Sequence, residues 1–178
     1  MNNRESIFSP DSVAVIGAST TPGKVGHDIF ANILRGEFQG TLYPVNPGTR
    51  SVFSVKAYPS IRDIPESVDL AILILPPQFA LQAVEESVEK GVKGLVIVSA
   101  GFREVGAEGR KIEDRIVSIC AERGVRVVGP NCLGVINPLP SVQLNASFST
   151  RMPRAGNISF ISQSGALCTA VLDFAADR

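Results

Sequence analysis

The sequence predicts an α/β protein built on a doubly wound parallel sheet, with the truncated start of a second α/β unit behind it. Three features carry this. Short, β-branched, fully apolar runs alternate with stretches of helical period, and strands with no polar face need cover on both sides of their sheet. A glycine-bearing loop, Gly17 to Gly26, joins the first such run to the first helix, the position at which doubly wound sheets meet their ligands. Beyond a proline-containing stretch, one more apolar run and one more helix follow, too few to bury a core by themselves.

In chain order, Val13 to Ile16 reads as a buried strand, and His27 to Leu34 as a helix with Ile29, Phe30, Ile33 and Leu34 on one side. Thr41 to Val45 is a second strand, closed by the turn Asn46-Pro47-Gly48. Asp69 to Leu75 is a third, stopped by Pro76-Pro77. Gln78 to Lys90 places Ala80, Val84 and Val88 on one helical face, and Gly94 to Val98 is a fourth strand. Glu108 to Arg123 repeats the helical pattern with Ile112, Ile116, Ile119 and Cys120, and Val125 to Val128 is a fifth strand. The division expected is a first domain over 1–136, a linker over 137–156 with Pro138, Pro140, Pro153 and Gly156, and the cut-off first β-α unit of a second domain over 157–178. In that unit Ile158 to Ile161 is a strand, Ser162 to Gly165 a turn and Ala166 to Ala176 a helix.

Composition narrows the function. A chain of 178 residues, 44% hydrophobic and 19% charged, is globular. Its 17 basic and 17 acidic residues cancel, so it lacks the broad positive field of a nucleic-acid binder. With no Trp and 6% aromatics there is no stacking platform for bases. No apolar run reaches the roughly 18 residues of a membrane span, and Met1-Asn2-Asn3-Arg4-Glu5 has no hydrophobic signal region. Cys120, Cys132 and Cys168 are odd in number and far apart, which suits a reducing cytoplasm. They lack zinc-ligand spacing and His27 is the only histidine, so no metal site is expected.

The first loop carries the strongest chemical signal. A helix start offers free N–H groups and the positive end of the helix dipole, and glycines let the backbone come close to a phosphate. Gly23 follows Gly17 by six positions where the dinucleotide fingerprint allows two, and the loop adds hydroxyls (Ser19, Thr20, Thr21) and a cation, Lys24. A plain strand–helix connection needing glycines for its turns is the bland alternative. After the second strand an NAD site wants a carboxylate for the ribose hydroxyls. Here the chain reads Tyr43-Pro44-Val45-Asn46-Pro47-Gly48-Thr49-Arg50. A cation without a carboxylate favours a ligand with a phosphate on its ribose, such as NADP or coenzyme A. Asn-Pro-Gly is equally explained as a tight turn.

Leu75-Pro76-Pro77, Ser99-Ala100-Gly101-Phe102-Arg103-Glu104 and Gly129-Pro130-Asn131-Cys132-Leu133-Gly134 follow strands on the same edge. None holds a nucleophile–base pair, so they read as walls of a pocket; Cys132 is a packing cysteine rather than a nucleophile. Ser162-Gln163-Ser164-Gly165 opens the last helix with hydroxyls and N–H groups suited to phosphate. His27 reads as a helix-start histidine.

Taken together, VAVIGASTTPGKVG from Val13, YPVNP from Tyr43, ILILPP from Ile72, VIVSAGF from Val96, GPNCLGVIN from Gly129 and GNISFISQSGAL from Gly156 resemble the N-terminal coenzyme A-binding domain of the NDP-forming acyl-CoA synthetases. That family includes ADP-forming acetyl-CoA synthetase and the α subunit of succinyl-CoA synthetase. The resemblance implies a Rossmann-like domain followed by a flavodoxin-like one, and the reaction acyl-CoA + ADP + phosphate ⇌ acid + CoA + ATP, through an acyl phosphate and a phosphohistidine. It implies that Ser19, Thr20, Pro22, Gly23 and Lys24, bounded by Gly17 and Val25, hold the phosphates of CoA or acyl-CoA. Val45, Asn46 and the turn to Arg50 would meet the adenosine part. Pro76, Ser99, Ala100 and Gly101 would border the pantetheine arm, leading the thiol towards Asn131 and Cys132. Ser162, Ser164 and Gly165 match a phosphate-cradling stretch.

The succinyl enzymes carry lysine where this chain has Thr49 and Arg50, and arginine can supply that charge as a fork. The family's phosphohistidine lies beyond the SQSG stretch, so no catalytic residue is expected in this chain, which would bind CoA without turning over. ADP, ATP and Mg would come through absent regions, with an ATP-grasp β subunit or domain, or a second copy, as possible partners. A stand-alone CoA-binding sensor and an NAD(P)-dependent oxidoreductase or redox regulator are the alternative readings.

Overall fold

The computed structural model describes residues 5–176. The expectations for Met1 to Arg4, and for the unit's last residues Asp177 and Arg178, fall outside them. In chain order the elements are α1 (Glu5–Phe8), β1 (Ser12–Ile16), α2 (Val25–Arg35), β2 (Thr41–Val45), β3 (Ser51–Val52), β4 (Val55–Lys56) and β5 (Leu70–Leu73). Then come α3 (Pro77–Lys90), β6 (Gly94–Ile97), α4 (Ala107–Glu122), β7 (Arg126–Val128), β8 (Gly134–Asn137), β9 (Leu144–Ser147) and α5 (Gly165–Ala176). Strand and helix ends lie within a residue or two of the expected ones, as fraying termini do.

The main sheet runs β2-β1-β5-β6-β7, every pair parallel. The chain winds outward from β1 to β2, then returns to the other side of β1 for β5, β6 and β7. The order therefore reverses between β1 and β5, the place at whose carboxyl edge doubly wound sheets seat their ligands. This is the doubly wound, Rossmann-like α/β architecture expected.

The strands are apolar throughout because each face is covered by something different. Val13, Val15, Leu70, Ile72, Val96 and Val98 pack with Ile29, Phe30 and Ile33 of α2. Ala14, Ile16, Ala71, Leu73, Leu95 and Ile97 turn the other way, onto Ala80 and Val84 of α3 and Ile116 and Ile119 of α4. This is the period-two alternation of a strand, with apolar residues on both phases.

The stretch expected as a linker over 137–156 is corrected at its beginning. β8 and β9 form an antiparallel hairpin, with Val135 opposite Ala146 and Asn137 opposite Leu144. Val135, Val142, Leu144 and Ala146 join the α2-side core. The hairpin thus covers part of the α2 face of the sheet. Buried Asn32 of α2 donates through Nδ2 to the carbonyls of Ser147 and Ser149, each at 2.9 Å, and the Asn137 amide donates to the Phe8 carbonyl at 2.6 Å.

The expected strand Ile158 to Ile161 is not one. Ile158 and Ile161 are each 90% exposed, and no ladder forms there. A strand holds only through its neighbour's hydrogen bonds, and none lies beside this run. The helix behind it does form, as α5, with no buried residue, since a helix satisfies its own backbone.

Candidate functional site

The first loop is fixed by glycines at both ends. Gly17 leaves β1 with φ +94 and donates its N–H to the Val45 carbonyl at 3.0 Å. A Cβ on it would lie 2.3 Å from the Ile74 carbonyl oxygen, so only glycine fits between the ends of β1 and β5. Gly26, in the first turn of α2, brings that helix onto the loop so closely that a Cβ would lie 2.0 Å from the Gly17 oxygen. Between them Ser19 Oγ accepts from the Thr21 N–H at 3.1 Å. Thr20, Thr21, Pro22, Gly23, Lys24 and Val25 are exposed. Gly23, at φ +80, faces open space.

The start of α2 is bare. Lys24 occupies the cap position but makes no side-chain cap. The His27 and Asp28 N–H groups return to the Lys24 carbonyl at 2.9 and 3.0 Å. The Val25 and Gly26 N–H groups, among those a helix cannot satisfy internally, are left for another acceptor at the positive end of the helix.

The turn after β2 is tied to this loop by Asn46. Its Nδ2 donates to the Ala18 carbonyl at 2.7 Å, while its Oδ1 accepts from the Gly48 N–H at 2.7 Å. Asn46 therefore works as a clamp between two loops, and both ends of its amide are engaged. Past it, Pro47, Gly48, Thr49, Arg50, Lys56, Ala57 and Pro59 line an open hollow of about 580 Å³. It holds two cations and no carboxylate. The Lys56 ammonium lies 5.0 Å from the centre of the Tyr58 ring.

The remaining loops of the edge are knitted to one another. Pro76 stands at the cap position of α3 without a side-chain cap, and Pro77 fills its first position, where a missing N–H costs nothing. Gly101, at φ +106, sits against the Pro77 ring, 2.6 Å from where its own Cβ would be. The Asn131 N–H donates to the Ser99 carbonyl at 2.9 Å. Ala100 and Asn131 are exposed, and Ser99 is half-buried.

The loop after β6 turns part of its backbone onto itself, and the loop after β7 buries its thiol. The N–H groups of Gly101 and Phe102 do not face a pocket: both donate to the Glu104 carboxylate, at 2.6 and 3.2 Å. These hydrogen bonds, that from Gly101 first, hold the Glu104 carboxyl below its ordinary range. Cys132 is half-buried, and its Sγ–H donates to the Ile97 carbonyl at 3.3 Å. Burial raises its thiol above the ordinary value, so it is not poised as a nucleophile.

The hydrogen bonds of the SQSG turn run within its own segment. Ser162 Oγ accepts from the Ser164 N–H at 3.0 Å, and Ser164 Oγ caps α5 by accepting from the Leu167 N–H at 3.3 Å. Gly165 begins the helix. The structure thus draws the loops after β1, β2, β5, β6 and β7 into one edge, while Ser162, Ser164 and Gly165 make no hydrogen bond to it.

The family pattern described as "CoA binding domain" matches residues 11–138, from the approach to β1 through the first strand of the hairpin. The chain belongs to that family. Relatives it matches include ADP-forming ligases of coenzyme A. It is 48% identical over 170 residues to acetate–CoA ligase [ADP-forming] I of Archaeoglobus fulgidus, covering 96% of this chain and 24% of that one. It is 47% identical over 166 residues to the acetate–CoA ligase [ADP-forming] II subunit alpha of Pyrococcus furiosus, covering 93% and 35%. The chain thus spans between a quarter and about a third of these relatives. Its backbone matches the Ca. Korarchaeum cryptofilum dinucleotide forming acetyl-coenzyme A synthetase 1, solved in complex with phosphate and ADP, with a TM-score of 0.90 at 37% identity, over 99% of this chain and 37% of that one.

Among the described residues of this CoA binding domain, no cluster of His, Cys, Asp and Glu could hold a metal, and no helix is long and apolar enough to cross a membrane. Lys56, Phe53 and the capping role of Glu104 escape the sequence reading. The β3–β4 hairpin that presents Lys56 has two-residue strands and a turn without glycine, so it leaves no hairpin signal in the pattern.

Proposed function

We propose that this chain binds coenzyme A or an acyl-CoA across the carboxyl edge of the sheet, as the coenzyme-binding part of an ADP-forming acyl-CoA ligase. The observation that carries the reading is the pair of neighbouring anion sites held together by Asn46. One is the bare start of α2 with its glycine loop. The other is the hollow with Arg50 and Lys56 and no carboxylate. Coenzyme A carries a diphosphate and, separately, a ribose phosphate, and needs two such sites.

In this reading the Val25 and Gly26 N–H groups, the Ser19 and Thr20 hydroxyls, Pro22, Gly23 and Lys24 receive the diphosphate. Val45 and the turn to Arg50 flank the adenosine. Pro76, Ser99, Ala100, Gly101, Asn131 and Cys132 form the wall along the arm, which they shape by packing. The chain's part in the reaction is to bind and orient the thioester or thiol. The transfer between acyl-CoA, ADP and phosphate requires residues outside it, and His27 does not supply them, because its ring is held by Asp28 and Phe53. Residues 157–178, with Ser162, Ser164 and Gly165 at the turn, are proposed as the opening of the second α/β domain, which gives the unpaired Ile158 to Ile161 run its missing neighbours.

Parallel calorimetric titrations with CoA, NAD and NADP at fixed salt test the binding. CoA binds and the nicotinamides are silent; binding of NAD or NADP without CoA overturns the reading. Formation of ATP from acetyl-CoA, ADP and phosphate by the 178 residues alone would overturn the proposal that they only bind.

A further inference from the structure

We propose that Phe53 is a positioning residue, which pins the β3–β4 hairpin to the first turns of α2 and so fixes Arg50 and Lys56 where a phosphate is received. The inference rests on the coenzyme reading of the hollow. The hairpin pairs Ser51 with Lys56 and Val52 with Val55. Its turn is Phe53-Ser54, at φ 50 and φ 65. Two successive left-handed residues are what a tight hairpin turn wants, but they are normally supplied by Asn-Gly or Gly-Gly. A bulky phenylalanine there carries backbone strain and persists only where its surroundings hold it.

Two rings of α2 hold it. The Phe53 ring lies 4.9 Å from the His27 ring and stacks on Phe30 at 6.1 Å and 17°. His27 is itself steadied by its Nδ1 contact with the Asp28 carboxylate at 2.9 Å. Phe30 is fully buried in the core. Phe53 nevertheless stays 43% exposed, so its burial accounts for only part of what offsets the turn. The hairpin also leans on buried Val52.

At its open end the hairpin is closed by the Ala57 N–H donating to the Arg50 carbonyl at 2.9 Å. Both cations therefore ride on one small rigid unit, with Arg50 at its entry and Lys56 at its exit. Among the described residues the Arg50 guanidinium has no hydrogen bond or ion pair, and Lys56 has only the Tyr58 ring. Two cations with no counter-charge repel each other. Held in place beforehand, they favour a dianion, and left free they lose that advantage to side-chain and loop entropy. The pin sits on α2, whose bare start is the other anion site, so the ring and the Asn46 clamp together set the spacing between the two.

The test is calorimetric titration of the full chain, F53G, F53L and F53Y with CoA and with 3′-dephospho-CoA, alongside each protein's unfolding midpoint. F53G relieves the turn and removes the ring; F53L keeps an apolar contact with Phe30 should F53G fold poorly. The wild type prefers CoA over dephospho-CoA by about tenfold or more. F53G loses roughly tenfold in CoA affinity, F53L about threefold and F53Y almost nothing, while dephospho-CoA binding stays level in all folded variants. Equal losses for both ligands, or undiminished CoA binding by F53G and F53L, overturn the role of Phe53 and leave the coenzyme reading standing. A wild type that does not bind CoA, or binds both ligands alike, overturns the reading of the hollow and the inference with it.

Discussion

Val13-Ala14-Val15-Ile16 and Ile158-Ser159-Phe160-Ile161 are similar pieces of sequence, each a short apolar run leading through a small-residue turn to a helix. The first is the centre of a sheet, with β2 on one side and β5 on the other, and Val13, Ala14 and Val15 are wholly out of solvent. The second forms no ladder, and its isoleucines stand in water. The difference lies in their neighbours. A strand is a statement about other strands, whereas a helix closes its own hydrogen bonds, and α5 accordingly forms where the strand before it does not.

The largest contrast is expected in side-chain truncation. Phe30→Ala, at the centre of the α2-side core, should cost on the order of 3–5 kcal/mol, whereas Ile161→Ala should change stability by less than about 0.5 kcal/mol. Chemical denaturation of the two variants measures this, and a costly Ile161→Ala would show the tail to be part of the folded core.

The glycines give the next test. Gly26→Ala puts a methyl group against the Gly17 oxygen and should cost about 1–3 kcal/mol. Gly156→Ala meets open space and should be neutral or stabilising by up to about 1 kcal/mol. A third substitution sharpens where the body ends. Asn32→Ala removes a side-chain donor from the Ser147 carbonyl, and one of two from the Ser149 carbonyl, which keeps the Asn145 amide, and should cost on the order of 1–2 kcal/mol. In hydrogen exchange β9 should lose protection first, with β1 and β5 little changed.

Cysteine chemistry separates the regions at the smallest cost in stability. Half-buried Cys168 should react first with a thiol reagent at neutral pH, Cys132 more slowly and Cys120 last. Burial pushes the Cys120 thiol from an ordinary 9.0 up to about 11. The unfolded chain therefore releases this proton at a lower pH than the folded one. The contribution is fully present below about pH 9 and lost as pH rises towards 11. Cys120→Ala should flatten the fall in stability across that window, and an unchanged slope would count against it.

How much was legible follows the same physics. β1, β5 and β6 were readable because residues of both phases are apolar, and only a strand covered on both faces needs that. β9 was hidden by Asn145 and Ser147, which look like loop residues. Both are buried, and Ser147 Oγ donates to Asn145 Oδ1 at 2.7 Å, a partnership that no single position announces. At the site, the loop from Gly17 to Val25 was legible because glycines, hydroxyls and a cation must lie close together in the chain to serve a helix start. Lys56 was not, since it reaches the hollow by pairing with Ser51 across a turn. Nor was the occupation of the Gly101 and Phe102 N–H groups by Glu104, because hydrogen-bond donors exposed in a pattern can be claimed by a nearby acceptor.

The sequence by itself determined the elements whose cause is local or repeated: the apolar strands, the amphipathic helices α2, α3 and α4, the glycines of the first loop, and the family to which these motifs belong. Only the tertiary structure decided which strands found neighbours, what covered each face of the sheet, and which polar groups on the carboxyl edge were left free for a ligand. Those outcomes depend on residues far apart in the chain arriving at hydrogen-bonding distance, as Asn46 does at Ala18 and Asn32 at Ser147, and chain order alone does not encode distance.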